Sequence, residues 1–326
     1  MKICLTGERA ADMRSTAEEI LRTAAVAGEV IVLNGDGSFS GDPDGVEVVY
    51  FSMSVTKYQA AMASLLSLFE GEKLRWMQSP GAGVDLPIWQ KVLDAGARLT
   101  NASGIHSEPI AQYIFAYVLH WERNVARHMA QQAEKKWEII RSGDLAEKTL
   151  GIIGYGGIGQ AAGRIGKAFG MRVLGSRRTK MEDDVLDRFV PLESIHTLLA
   201  ESHYVVLCMP FSDETEGMIG AAELAAMRPD GVLINVARGG VVDEPALIDV
   251  LERRAIRGAS LDVVSEEPLP AESPLWGLEN CVLTPHDAGY SPLGDERLGA
   301  LFLDNLRRFV AGEPLVNEVF STGRSA

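Results

Sequence analysis

Cysteine and positive charge are both scarce in this chain. Three cysteines occur, Cys4, Cys208 and Cys281, and their spacing suits neither a metal cluster nor a disulfide framework. They are expected to be small core residues in a reducing compartment. Lysine and arginine number 31 against 45 aspartates and glutamates, a formal net charge of −14. That balance argues against nucleic acid and anionic membranes as partners. It also sets a condition: a site for an anion must bring its own arginines. Long apolar runs are missing too. The most apolar helical stretch, 110–121, is too short and too polar to span a bilayer. The opening MKICLTG enters a strand directly, without the apolar region and cleavage site of a signal peptide. A cytoplasmic protein with no resident metal is the expectation.

What is present suits two domains. The chain has 326 residues, 46% hydrophobic and 23% charged, the composition of an ordinary globular protein. Strands are predicted at 2–6, 30–33, 46–50 and 74–78, with helices at 15–26 and 58–69 between them, a small parallel α/β unit. The turn-rich stretch 35–45 carries several carboxylates, but its spacing does not match a calcium loop, and a solvated loop is expected. One long helix is predicted over 107–127. Ile110, Ile114, Val118 and Trp121 share a face, while Tyr113, Phe115, Tyr117 and Leu119 make other faces bulky. Such a helix should pack in a core on one side and against a partner subunit on another. Six further strands are predicted at 150–153, 172–175, 204–208, 232–236, 259–263 and 281–284, which suits a doubly wound sheet. A last helix at 297–310 and a short polar tail complete the chain.

The turn Gly154-Tyr155-Gly156-Gly157-Ile158-Gly159 lies between a predicted strand and a predicted helix. That is the setting of a dinucleotide-binding turn. Gly154 permits the tight turn, Gly156 lets backbone approach a pyrophosphate, and Gly159 lets helix and strand pack closely. The free N–H groups of Gly157 and Ile158 at the helix start would hold the anion. Three polar residues follow at or just after strand ends, where open α/β sheets bind ligands: Arg238, Glu267 and His286. Taken singly, each has an ordinary structural explanation, as a surface ion pair, a solvated turn or a structural histidine.

Taken together with Gly81-Ala82-Gly83-Val84-Asp85, these motifs resemble the D-isomer-specific 2-hydroxyacid dehydrogenases over nearly the whole chain. The resemblance implies a Rossmann doubly wound parallel sheet at 100–289 and a smaller flavodoxin-like α/β substrate domain at 1–99 and 290–326. It implies an Arg–Glu–His catalytic set. His286 would give the proton to the carbonyl oxygen of a 2-keto acid, and Glu267 would stabilise its imidazolium. Arg238 would bind the substrate carboxylate through its fork of donors. Ala82 and Gly83 would grip the same carboxylate with backbone N–H groups, and Phe51, Ser52, Met53 and Trp89 would help wall the pocket. Substrate would bind in a cleft between the domains. The resemblance also assigns Met209, Pro210 and Thr215 to the cofactor, with Val236 beside it. The Ala237 carbonyl and Asp262 carboxylate would orient the carboxamide; a buried strand-end turn is the other reading of Asp262.

The second strand of the sheet selects the nicotinamide cofactor. An acidic residue is usual at its end for NAD; here Ser176, Arg177 and Arg178 stand there, a cluster that suits a 2′-phosphate. NADP is therefore expected ahead of NAD. Two departures from the family pattern stand out: Asp287 follows His286 in place of an aliphatic residue, and Gln112 follows Ala111 in place of glutamate. His106, near the start of the long helix, is expected to be structural. The expected protein is an NADP-preferring reductase of small 2-keto acids, a homodimer through its cofactor domains. The alternatives are a non-enzymatic NAD(P)-sensing regulator of corepressor type and a dehydrogenase for another small anion, formate or phosphite.

Overall fold

The computed structural model describes residues 1–69, 73–84, 86–179 and 185–320. Its elements in chain order begin with β1 (Lys2–Thr6), α1 (Ala10–Thr23), β2 (Glu29–Leu33), β3 (Val48–Tyr50), α2 (Gln59–Leu68), β4 (Trp76–Gln78), α3 (Pro87–Asp94) and β5 (Arg98–Thr100). Next come α4 (Ser107–Glu122), α5 (Val125–Ala133), β6 (Thr149–Ile153), α6 (Gly157–Ala168), β7 (Arg172–Ser176) and β8 (Arg188–Phe189). They are followed by α7 (Ile195–Glu201), β9 (Tyr204–Leu207), α8 (Ala221–Ala226), β10 (Val232–Asn235), α9 (Glu244–Glu252), β11 (Gly258–Leu261) and β12 (Cys281–Leu283). The last two elements are α10 (Pro292–Ala311) and β13 (Glu318–Val319). The chain divides into two compact units, one of Met1–His106 with the segment from Ser291 onward, the other of Ser107–Tyr290. Among the described residues no helix is long and apolar enough to cross a membrane.

The first unit is built on a six-stranded sheet in the order β13-β5-β4-β3-β1-β2. Its five N-terminal strands run parallel in the 2-1-3-4-5 order of flavodoxin-like sheets. Strands covered on both faces read as continuous apolar runs, and β3 is buried at every residue. Helix α1 turns Ala10, Met13, Ala17, Ile20 and Leu21 inward at helical spacing. Helix α10, distant in sequence, returns to the same face: Phe302 stacks on Trp76 with ring centroids 5.1 Å apart and lies 5.0 Å from the Tyr50 ring.

The second unit carries a seven-stranded, wholly parallel sheet in the order β12-β11-β10-β9-β6-β7-β8. The order reverses at β6, which pairs with β7 on one side and β9 on the other. That reversal is the switch point at which doubly wound sheets open a ligand crevice. Two apolar layers sandwich the sheet, one built on Leu198, Leu224, Leu247 and Leu251, the other on Ile114, Phe115, Val118 and Ala162.

Three expectations change. The helix predicted over 107–127 is two helices, because Asn124 takes a left-handed backbone at φ 53° and ends the first. Asparagine is among the few residues that visit that region readily. The carboxyl-terminal tail is not simply polar coil: Glu318 and Val319 add an antiparallel edge strand to β5. Arg98 clamps it, donating from Nε and Nη2 to the two Glu318 oxygens at 2.6 and 2.7 Å. Helix α3, absent from the sequence prediction, starts with Pro87 in its first turn, a position where proline loses nothing.

The Arg98–Glu318 clamp is partly exposed, so its worth is modest. Glu318→Ala is expected to lower unfolding stability by about 1 kcal/mol, read as a shift of the urea midpoint.

Candidate active site

The glycine turn leaves β6 at the switch point. Gly154 has φ 95°, and its N–H and that of Tyr155 both donate to the Ser176 carbonyl, at 2.9 and 3.0 Å. The turn is thereby fastened to the end of β7. A Cβ at Gly154 would lie 2.3 Å from the Met209 backbone nitrogen, so glycine is required by contact as well as by φ. A Cβ at Gly159 would meet Ile152 at 3.0 Å, the close helix–strand packing expected of that position. Gly156 differs: a Cβ there would meet nothing nearer than 3.9 Å. Its backbone faces open space, and α6 begins at the next residue. The N–H groups of that first turn, on Gly157 and Ile158, have no acceptor within the helix. An anion fits there.

The end of β7 fits the rest of a dinucleotide. Ser176 Oγ is the buried side-chain oxygen that has no hydrogen-bond partner among the described residues. Arg177 donates from Nη1 to the Tyr155 carbonyl at 3.5 Å, and Arg178 lies 3.3 Å from Glu214 in an exposed ion pair. Both arginines line a hollow of about 670 Å³ with Phe189, Pro191, Leu192 and Glu193. Guanidinium groups at that position suit a phosphate oxygen better than a ribose hydroxyl. Beyond β9, Met209 is buried and Pro210 exposed. The Thr215 hydroxyl closes its own turn, with the Pro210 carbonyl at 2.9 Å and the Ser212 N–H at 2.8 Å.

Arg238, Glu267 and His286 stand on the turns after β10, β11 and β12. Asn235 shapes the first turn: its Oδ1 accepts the Ala237 N–H and its Nδ2 donates to the Arg238 carbonyl, each at 3.0 Å. Val236 and Ala237 are buried beneath it. The half-buried Arg238 donates from Nη1 to the Ala237 carbonyl at 2.8 Å. Glu267 accepts the Val264 N–H on Oε1 at 3.3 Å and holds His286 Nδ1 on Oε2 at 2.7 Å. Burial alone would raise the Glu267 carboxyl. The His286 hydrogen bond and charge, the Val264 N–H and the Arg238 charge outweigh burial and hold it below the ordinary glutamate value. The three residues thus share one electrostatic neighbourhood. With Nδ1 committed to a carboxylate, Nε2 is the nitrogen of His286 able to exchange a proton with a ligand.

Asp262 occupies the strand end itself. Its carboxylate is buried and accepts the Thr284 hydroxyl at 2.7 Å and the N–H groups of Asp287 and Ala288, each at 3.1 Å. Its carbonyl accepts the His286 N–H at 2.8 Å, and His286 has φ 55°. This is the buried strand-end turn that the sequence offered as the other reading of Asp262. A carboxylate has about four lone-pair sites, so three donors leave one for a ligand amide.

In the first unit, Ala82 and Gly83 follow β4 on a loop fixed by the Asn101 side chain, which donates to the Ala82 carbonyl at 2.9 Å. Asp85 lies outside the described residues. Met53 opens a short turn and is half-buried. Phe51 and Trp89, expected in a pocket wall, are core residues of this unit with ring centroids 6.0 Å apart. His106 Nε2 pairs with the Pro80 carbonyl at 3.1 Å. Tyr113, Tyr117 and Thr284 were missed by the sequence reading. The two tyrosines, four residues apart on α4, counted only as apolar bulk. Tyr117 is buried and Tyr113 half-buried, and the available signal was that a tyrosine packed into a core needs a polar partner for its hydroxyl.

Known proteins with this architecture carry related chemistry. The model of the D-isomer specific 2-hydroxyacid dehydrogenase NAD binding domain matches residues 115–288. A glyoxylate reductase from Korarchaeum cryptofilum is 36% identical over 269 residues, 78% of this chain and 80% of that protein. A hydroxypyruvate reductase from Thermotoga maritima is 31% identical over 72% of this chain and 78% of its own length. A D-isomer specific 2-hydroxyacid dehydrogenase from Xanthobacter autotrophicus Py2, solved with NADPH and MES, superposes with a TM-score of 0.75 at 30% identity, covering 97% of each chain.

Gly154→Ala combines a disallowed φ with a backbone collision and is expected to cost about 2–3 kcal/mol, read by thermal melting. The depressed Glu267 carboxyl stabilises the fold above the ordinary glutamate range, about pH 4.3, and that contribution is lost as pH falls through its folded value. The stability gap between wild type and Glu267→Gln should therefore be present above the ordinary glutamate range, about pH 4.3, and shrink as the pH falls below it.

Proposed function

The chain belongs to the D-isomer-specific 2-hydroxyacid dehydrogenase family, and on that premise we propose that it works mainly as a reductase of small 2-keto acids with NADP(H). It is an NAD(P)-dependent oxidoreductase. The observation that carries the site assignment is the 2.7 Å contact between His286 Nδ1 and Glu267 on a strand-end cluster shared with Arg238.

The roles follow from chemistry. Arg238 binds the substrate carboxylate and polarises the keto oxygen. His286 hands the Nε2 proton to that oxygen, and Glu267 orients the ring and stabilises its charged form beforehand. The nicotinamide, when bound, supplies the hydride. Gly156, Gly157 and Ile158 hold the pyrophosphate. Ser176, Arg177 and Arg178 take the ribose end, and the two guanidinium groups favour a 2′-phosphate, so NADP is preferred and NAD is second. Met209, Pro210, Thr215, Val236, Ala237 and Asp262 complete the cofactor's surroundings. The unit holding Ser107–Tyr290 is the cofactor domain and the other the substrate domain, to which Ala82, Gly83 and Met53 belong. The relatives support keto-acid reduction: one is a glyoxylate reductase, and an NADPH-dependent glyoxylate/hydroxypyruvate reductase from Sinorhizobium meliloti, solved with NADP and sulfate, has a TM-score of 0.76 at 25% identity. They do not favour the sensor or the formate and phosphite alternatives.

We also assign the protein to the cytoplasm, as a homodimer through the cofactor domains. The three cysteines are free thiols, as is usual in a reducing compartment, and burial pushes each up to about 12, which leaves them inert. Helix α5 buries none of its residues, and beyond it Trp137 and Ile139 are 100% and 98% exposed. Apolar side chains displayed in that way mark a surface that another protein covers.

A panel of glyoxylate, hydroxypyruvate, pyruvate and phenylpyruvate, each assayed with NADPH and NADH, tests the activity. Turnover with NADPH is expected, lost by at least about 100-fold in His286→Ala; no turnover on any of the four would end the reading. Arg177→Ala should weaken NADPH binding by about tenfold, the scale of one charge-assisted bond, and leave NADH binding nearly unchanged. A Trp137→Asp/Ile139→Asp variant should sediment as a monomer at concentrations where wild type is a dimer. A monomeric wild type would refute the assembly.

A further inference from the structure

We infer that Tyr113 and Asp287 form a clasp that positions His286, a contribution to the reaction from a helix that carries none of the reacting groups. The inference rests on the reading of His286 as the proton donor.

The sequence left the direction of the Asp287 side chain open. In the structure it turns to α4, where Tyr113 Oη donates to its Oδ1 at 2.8 Å. The neighbouring Tyr117, edge-on to Tyr113 with ring centroids 5.3 Å apart, bonds the Thr284 hydroxyl. Two tyrosines one helical turn apart thus grip the loop on either side of His286, at 284 and at 287. Asp262 grips the same loop from beneath, through Thr284, His286, Asp287 and Ala288. His286 itself holds a left-handed backbone at φ 55°, which a side-chain-bearing residue keeps only where its surroundings over-determine it.

The clasp has an electrostatic side. An unanchored Asp287 carboxylate, one residue from the imidazole, could compete with Glu267 for the His286 ring. Bonded to Tyr113, it is directed to α4, and Glu267 keeps Nδ1. The ionisable groups around the clasp are Tyr113, Tyr117, Asp262, Asp287, Glu267 and His286. Burial and then Asp287 raise Tyr113, so its hydroxyl stays protonated and able to donate throughout the working range.

Tyr113→Phe, Asp287→Ala and Asp287→Asn separate this arrangement from mere packing. The first two remove the bond, and asparagine keeps an acceptor for Tyr113. In the nucleotide-free protein, the His286 Nδ1 proton held by Glu267 should give a far-downfield resonance, one that disappears in His286→Ala. It should broaden or vanish in Tyr113→Phe and Asp287→Ala and persist in Asp287→Asn. In steady state with NADPH, the first two should lose about tenfold in kcat with KM within about twofold, and asparagine should stay near wild type. The double variant Tyr113→Phe/Asp287→Ala should lose no more than either single one, since both act through one bond. A resonance and kcat unchanged in both Tyr113→Phe and Asp287→Ala would overturn the clasp, as would an asparagine variant as impaired as alanine. Wild-type turnover by His286→Ala would instead defeat the proton-donor reading, while the resonance still decides whether the clasp holds the ring.

Discussion

The placement of the imidazole depends on one buried carboxylate. Asp262 sits at the end of β11, whose last residue, Leu261, is paired with β10 on one side and β12 on the other. From that rigid base it gathers four residues of the loop after β12 by side chain and carbonyl. Burying an anion is costly unless its lone pairs find donors, and here three donors occupy all but one of them. The same bonds offset the roughly 1–2 kcal/mol that a left-handed backbone asks of a residue such as His286. Sheet register thus sets Asp262, Asp262 sets the loop, and the loop presents the ring to Glu267.

The glycine turn follows the same economy on the other half of the sheet. Gly154 is confined by the backbone of the adjacent strand's exit at Met209, and Tyr155 is confined by burial: a Cβ at Gly175 would lie 3.0 Å from its ring. Between two immobilised residues and the start of α6, Gly156 is left as the exposed stretch of backbone. Both sites therefore use neighbouring strands as fixed jaws, and both lie at carboxyl ends of strands, as open parallel sheets require.

The legibility of these features differed with the range of the interactions behind them. The glycine turn was readable because Gly154 and Gly159 answer local demands, of φ and of close approach. Arg238, Glu267 and His286 were readable as residue types at strand ends, and the family resemblance supplied their order. The fourfold grip of Asp262 was not, since it joins position 262 to 284–288 and leaves no periodic trace. Tyr113 and Tyr117 were legible as rings but not as hydroxyls. Strands of two residues, β8 and β13, are too short for alternation to register. The break at Asn124 escaped because apolar spacing continues across it, while the backbone does not.

The same short strands protect the molecule from itself. A parallel sheet forms slowly and offers unpaired N–H and carbonyl groups at its rims to any neighbouring chain. Here β13, two residues long, closes one rim of the smaller sheet with an antiparallel run whose Glu318 is occupied by Arg98, and β8, equally brief, ends the larger one. Little ladder is left at either place for a foreign strand to extend. Strand length, independently of the chemistry the interior performs, thus limits strand-on-strand association at these two rims.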